Sequence, residues 1–169
     1  MNRYAVLVAI AIVLAAAMHS DSSADPWPHR KPGLWQMTMT MQGSPMGPMT
    51  SKYCIDAKTE AVLMQMGQST ANKMCSTETV HVAGSTGTVD AVCRFGKTTS
   101  TSHTTVTFLG DSAYRSETHS HLDPPSKFMK GDRIMTNDAR WVGPCPAGMK
   151  PGDIDTADGM RMHMNLKPN

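Results

Sequence analysis

The segment from residue 77 to residue 141 constrains the fold of this chain most strongly. It consists of short runs rich in Thr and Val that are separated by Gly or Pro, at 77–83, 88–95, 98–109, 113–122 and 134–141. Short β-branched runs at such spacing are typical of an antiparallel meander. Each run mixes polar and apolar residues, so one face of the sheet meets solvent or, if the sheet curls into a partial barrel, a wet cavity. The chain is therefore predicted to be mainly β.

An alternating segment at residues 34–42 predicts the first strand of this sheet. Polar Gln and Thr residues occupy one face, which is the pattern of a half-buried strand. The other face is apolar and is predicted to form the core, through Trp35, Met37, Met39 and Met41. Residues 43–49 hold two Gly and two Pro and are predicted to be a loop.

One helix is predicted after this strand, over residues 57–66. Asp56 is a suitable N-cap and Gly67 a suitable end. Residues 160–164 are predicted to be a last short strand or disordered. The predicted fold is a curled antiparallel sheet or partial barrel with one packed helix and two disulfides.

Residues 1–24 are predicted to be a secretory signal peptide. A positively charged start precedes an uncharged apolar run at 5–17, and small residues stand before the expected cleavage site at Asp25. The apolar run is shorter than the roughly 20 residues of a membrane helix, so no stable membrane insertion is expected after cleavage. Residues 25–169 suffice for a single β-rich domain, with a Pro- and Gly-rich tail from about residue 146. We expect a soluble periplasmic or secreted protein.

Charge and motifs exclude several classes of function. The formal net charge is +2 and no basic run is longer than Arg30-Lys31, so no nucleic-acid partner is expected. Nucleophile-elbow, zinc-protease, Cys-x-x-Cys and phosphate-loop motifs are absent from the sequence, and its three Glu are scattered. We therefore do not expect an enzyme. The acidic tail residues depart from calcium-loop spacing and indicate an exposed turn: Asp153, Asp155 and Asp158.

Three histidines are the first candidate for a metal site. His119 and His121 share one strand face, and His103 joins them if residues 110–112 form the hairpin loop. This register also places Phe108 opposite Tyr114 on the apolar face, whereas a shift by one residue would break that face. The favoured register thus predicts three imidazoles on the polar face, where they could bind zinc or copper. The alternative is a set of exposed histidines without a fourth ligand.

Methionines are the second candidate. Thioethers bind Cu(I), and three of them share one face of the last predicted strand: Met160, Met162 and Met164. Met46 and Met49 lie on the predicted loop. The alternative is that methionine simply replaces Leu as a packing residue. We expect no cofactor, with copper as the alternative.

Four motifs follow one another along the chain: Lys31-Pro32-Gly33-Leu34-Trp35, Pro45-Met46-Gly47-Pro48-Met49, Tyr53-Cys54, and Arg140-Trp141-Val142-Gly143-Pro144-Cys145-Pro146. Together with four cysteines they resemble an uncharacterised family of small exported proteins of Gram-negative bacteria, known only as a domain of unknown function. The resemblance implies an envelope location, an antiparallel fold and paired cysteines. It implies no activity.

Four cysteines allow three pairings in an oxidising compartment. The resemblance suggests a bond between Cys75 and Cys93, which leaves Cys54 for Cys145. The best hydrophobic register of the hairpin instead places Glu78 opposite Cys93, so the bond requires a bulge or a tighter turn centred on Gly84.

The function that we expect is that of an exported, periplasmic and non-catalytic protein, a binding or structural module of the cell envelope with an unidentified ligand or protein partner. The alternative is a periplasmic copper- or metal-binding protein that uses Met and His ligands.

Overall fold

The structure, a computed structural model, describes residues 27–125 and 131–164. The predicted signal peptide at 1–24 lies outside these ranges. Within them the chain forms nine strands and one helix, which are, in chain order, β1 Gly33–Met41, β2 Met49–Ile55, α1 Ala57–Met74, β3 Cys75–Ala83, β4 Thr86–Phe95, β5 Thr98–Phe108, β6 Ala113–Asp123, β7 Asp132–Gly143, β8 Asp153–Asp155 and β9 Arg161–His163. The predicted mainly β class is confirmed.

The nine strands form one open antiparallel sheet in the order β3-β4-β5-β6-β7-β1-β2-β8-β9. β3 and β9 are its edges. The long strand β7 returns to pair with β1, so the first and seventh strands lie side by side at the centre. No helix of the described residues is long and apolar enough to cross a membrane.

The face of the sheet that carries Trp35 is concave. Tyr53 on β2 and Tyr114 on β6 lie on this face with β1 and β7 between them, which would separate their backbones by about 14 Å in a flat sheet. Their hydroxyl oxygens are nevertheless 3.4 Å apart, because the sheet curls toward this face. We call it the concave face, and the opposite, Thr-rich face the convex face.

Helix α1 bridges the concave face. It follows β2 directly and contacts β2 near one end and β3 and β4 near the other. Its 18 residues have a length of about 27 Å, which is close to the roughly 29 Å that six strand spacings cover. Only its first half is buried, at Thr59, Glu60 and Val62.

The helix is longer than predicted. Asp56 caps it as expected, since its carboxylate accepts a hydrogen bond of 2.7 Å from the backbone N–H of Thr59. Gly67, however, does not end the helix, which continues to Met74. A helical Gly costs only about 1 kcal/mol, and the helix ends where Cys75 adopts an extended conformation and enters β3.

Two strands were not predicted. β2 starts at Met49, inside the predicted loop, and pairs with β1 along its whole length. β8 has only three residues and lies within the Pro- and Gly-rich tail. Neither contains a β-branched run, so both depend on pairing with neighbouring strands rather than on local propensity. The last predicted strand exists as β9.

The register of the β5–β6 hairpin agrees with the sequence pattern, whereas the hydrophobic register expected for β3 and β4 is wrong, since Glu78 opposes Ala91 and not Cys93. His103 opposes His119 and Phe108 opposes Tyr114 across β5 and β6. Between β3 and β4 the turn is tighter than the hydrophobic pattern favours, and the register shifts between Cys75 and Thr77. The tighter turn and this register shift together place Cys75 opposite Cys93.

The two disulfides join Cys75 to Cys93 and Cys54 to Cys145. This is the pairing that the resemblance implies. All four cysteines are thereby bonded, so none is a free thiol.

The core is smaller than predicted. Trp35 is fully buried and clusters with Tyr53, Ile55 and Ala139. Met37 packs against this cluster, but Met39 and Met41 are only half-buried. The two outer methionines lie beyond the part of the sheet that α1 covers, which is why their side chains keep solvent contact.

Candidate functional site on the concave face

One end of the concave face is built around the side chain of Arg30. Its guanidinium carbon lies 5.7, 5.9 and 5.8 Å from the ring centroids of Trp35, Tyr53 and Tyr114, respectively. Such distances are typical of cation–π contacts. We call this region, with the N-terminal half of α1 above it, the aromatic end.

Glu60 of α1 neutralises Arg30. The Nε of Arg30 donates to a carboxylate oxygen of Glu60 at 2.8 Å, and the backbone N–H of Arg30 donates to the same oxygen at 3.2 Å. The two side chains are 15% and 11% exposed. Burial raises the pKa of Tyr53 far above its usual range, so its hydroxyl stays neutral. The polar groups of the aromatic end thus bind one another.

A cavity of about 270 Å³ lies beside this ion pair, between α1 and the sheet. Its walls are mainly apolar and aromatic, and they include Trp27, Met64, Val106, Phe108 and Tyr114. Trp27 and Tyr114 both contact the ring of Phe108, with centroids 5.9 Å apart in each case. In the described residues, every buried side-chain nitrogen or oxygen has a hydrogen-bond partner. This cavity is therefore suited to an apolar guest.

The other end of the concave face carries methionines, and we call it the methionine end. Met39 of β1 lies directly opposite Met49 of β2, and Met41 lies opposite Met135 of β7. Met37 is on the same face, two residues before Met39. The described part of α1 contacts β2, β3 and β4 and begins after Ile55, about 20 Å along β2 from Met49. The methionine end is accordingly open.

The three predicted histidine ligands lie together on the convex face. Each imidazole is bonded to a carboxylate at 2.7 Å: His103 to Asp90, His119 to Glu117 and His121 to Asp132. The hydrogen bond to Asp132 raises the pKa of His121. All three histidine side chains are more than half exposed. No His, Cys, Asp or Glu set in the described residues is arranged to hold a metal ion.

Met160, Met162 and Met164 lie far from these histidines in the sheet order, at the β8–β9 edge. Met160 and Met162 are 57% and 49% exposed. The predicted histidine and methionine ligands are thus not brought together.

The acidic residues of the same edge bind neighbouring groups of the protein. Asp153 accepts hydrogen bonds from the backbone of Lys150 and from His163, and Asp155 from Arg161. Asp158 accepts one from the hydroxyl of Thr156. The backbone bond from Lys150 and the His163 contact lower the pKa of Asp153. The prediction of an exposed turn is wrong for Asp153 and Asp155, which lie in β8, where Asp153 is buried. It holds for Asp158, which is exposed and lies in a turn.

Sequence reasoning missed the residues that complete both ends of the concave face. Arg30 was considered only as part of a short basic run, and Glu60 only as one of three scattered acids. Met135 and Met49 become neighbours of Met41 and Met39 only through the pairing of β1 with both β7 and β2. A long-range strand pairing of this kind leaves no local signal.

A family model described as "Protein of unknown function (DUF3617)" matches residues 30–145, which include Arg30, both disulfides and both ends of the concave face. No curated protein and no solved structure matches the chain.

Proposed function

We propose that this chain, which belongs to the DUF3617 family of proteins of unknown function, is a non-catalytic protein of the bacterial periplasm that binds a small apolar ligand under α1. The observation that carries the proposal is the cavity beside Arg30. Its volume of about 270 Å³ lies just below the roughly 300 Å³ at which the range for small-molecule sites begins.

The chemistry of the cavity supports binding rather than catalysis. Arg30 and Glu60 neutralise each other at its wall, and the Tyr53 hydroxyl is engaged by Tyr114 and Arg30. A catalytic acid or base needs a group within hydrogen-bond reach of the substrate and a pKa near the working pH. His103, His119 and His121 lie on the convex face, on the other side of the sheet from the cavity.

Two features support export. The chain begins with a segment that has the charge, apolar run and small residues of a signal peptide. Its four cysteines form two disulfides, which persist in oxidising compartments. Mass spectrometry of the protein released from the periplasm should give a chain that starts at Asp25. Recovery of the full-length chain in the membrane fraction would contradict export.

Metal binding by histidine and methionine together is the alternative. It has less support in this form, since the two predicted ligand sets lie on different parts of the sheet. Methionine alone offers a better site.

The test of ligand binding uses an uncharged fluorescent probe, N-phenyl-1-naphthylamine, with the disulfide-bonded protein that starts at Asp25. We expect saturable binding of one probe per chain. Val106→Phe adds volume inside the cavity and should weaken binding by about ten-fold or more. The matched control is Val142→Phe, since Val142 is exposed and does not line the cavity; it should bind like the parent. Equal weakening in both variants, or no saturable binding, would refute the proposal.

A further inference from the structure

The methionine end has the properties of a binding site for a soft metal ion. Five methionines lie on this part of the concave face: Met37, Met39, Met41, Met49 and Met135. Leu would supply similar apolar volume. What methionine adds is a polarizable thioether sulfur, a neutral ligand that prefers Cu(I).

The strand register brings three of these sulfurs within reach of one ion. Met39 and Met49 are direct cross-strand partners, so their Cβ atoms are about 5 Å apart. Met37 precedes Met39 on the same face and is the diagonal neighbour of Met49. Met side chains have three rotatable bonds, which lets three thioethers from two strands converge on one point above the sheet.

Arg133 distinguishes Met41 from this set. Its guanidinium donates a hydrogen bond to the sulfur of Met41, which occupies a lone pair and places a positive charge beside that thioether. The neighbours of the other three are neutral: Ser51 opposite Met37, Ala139 on its other side, and Asn137 beside Met39. A cation is therefore better accommodated at Met37, Met39 and Met49 than at Met41.

Solvent access and the lack of competing thiolates also favour Met37, Met39 and Met49 as the site. Met49 is 39% exposed, so an ion reaches the set from solvent without movement of α1. Both disulfides are formed, so no thiolate competes for a soft ion.

We propose that Met37, Met39 and Met49 bind one Cu(I) ion through their Sδ atoms. The site does not depend on the apolar ligand proposed under α1, because none of its three methionines lines that cavity. Thioethers carry no proton near neutral pH, so binding releases none. The affinity should stay constant from about pH 5 to about pH 7.5, whereas a histidine site would weaken as the imidazoles become protonated near pH 6.5.

The test is a titration of the disulfide-bonded protein with Cu(I) against a chromophoric chelator, repeated with Ag(I) as a soft ion without redox chemistry. We expect one ion per chain. The double variant Met39→Leu, Met49→Leu should bind at least about ten-fold more weakly, because two of three ligands are lost while the volume is kept.

The matched control removes three exposed thioethers elsewhere, by Met160→Leu, Met162→Leu and Met164→Leu. It should retain the parent affinity within about two-fold. If this control loses binding as strongly as the double variant, or if the parent binds neither ion more tightly than micromolar, the site is refuted. Should the double variant not fold, Met49→Leu alone serves, since Met49 lies at the exposed start of β2.

A second readout identifies the ligands directly. In a carbon–proton spectrum of protein labelled at the methionine methyl groups, Ag(I) should shift the signals of Met37, Met39 and Met49. Shifts confined to Met160, Met162 and Met164 would place the ion at the β8–β9 edge and contradict the proposal.

Discussion

The two ends of the concave face are built from the same strands but differ in cover and in chemistry. At the aromatic end, Trp35 and Tyr53 lie beneath the start of α1 and surround an ion pair. At the methionine end, the same two strands carry Met39, which is half-buried, and Met49, which is exposed. The helix starts directly after β2, so the point where β2 ends decides which half of the face is covered. Rigid aromatic residues occupy the covered half and flexible thioethers the open half.

The largest expected effect tests whether the aromatic end holds the fold together. Trp35→Ala should lower the free energy of unfolding by about 3–5 kcal/mol, because it empties a fully buried site. Met39→Ala should cost less, about 1–2 kcal/mol, since Met39 is half-buried. Urea unfolding of both variants measures the difference. Equal losses would mean that the two ends do not differ in their contribution to stability.

The ion pair of the aromatic end should give the next largest effect. Glu60→Gln leaves the nearly buried guanidinium of Arg30 without its counter-charge and should lower the free energy of unfolding by about 2–3 kcal/mol. Glu117→Gln is the matched control, since Glu117 bonds His119 at the exposed convex surface; it should cost less than about 1 kcal/mol. Similar losses in urea unfolding would show that burial under α1 does not strengthen the pair.

The smallest expected effect concerns the exposed pair of His121 and Asp132. The hydrogen bond to Asp132 raises the pKa of His121 above its usual 6.5. The pair therefore stabilises the fold below pH 6.5, and this contribution is lost as pH rises through the raised pKa. In proton spectra, the ring of His121 should titrate above 6.5 in the parent and at a lower pH in Asp132→Asn. An unchanged midpoint would show that the two groups do not interact in solution.

Much of the fold could be predicted because its hairpins are local. The register of β5 against β6 follows from keeping Val106, Phe108 and Tyr114 on one face, and the structure has that register. The Asp56 cap was visible for the same reason, as a side chain that bonds three residues further along.

The elements and sites that the sequence did not predict depend on contacts between residues that are distant in sequence. β2 and β8 have weak local signals and exist because β1 and β2 offer them a pairing edge. The helix passes Gly67 and ends where Cys75 adopts an extended conformation and begins β3, which pairs with β4. The candidate sites were missed for the same reason, since Arg30 meets Glu60 and Met39 meets Met49 only in the folded sheet.

Peroxide footprinting of the methionines tests the division of the concave face most directly. Peptide mapping would follow the oxidation of Met39 and Met49 beside that of Met149, which is only 7% exposed. Because thioether oxidation follows exposure, we expect Met49 to oxidise at a rate near that of Met160, Met39 to oxidise more slowly than Met49, and both to oxidise several-fold faster than Met149. Rates for Met39 and Met49 as low as that of Met149 would contradict an open methionine end.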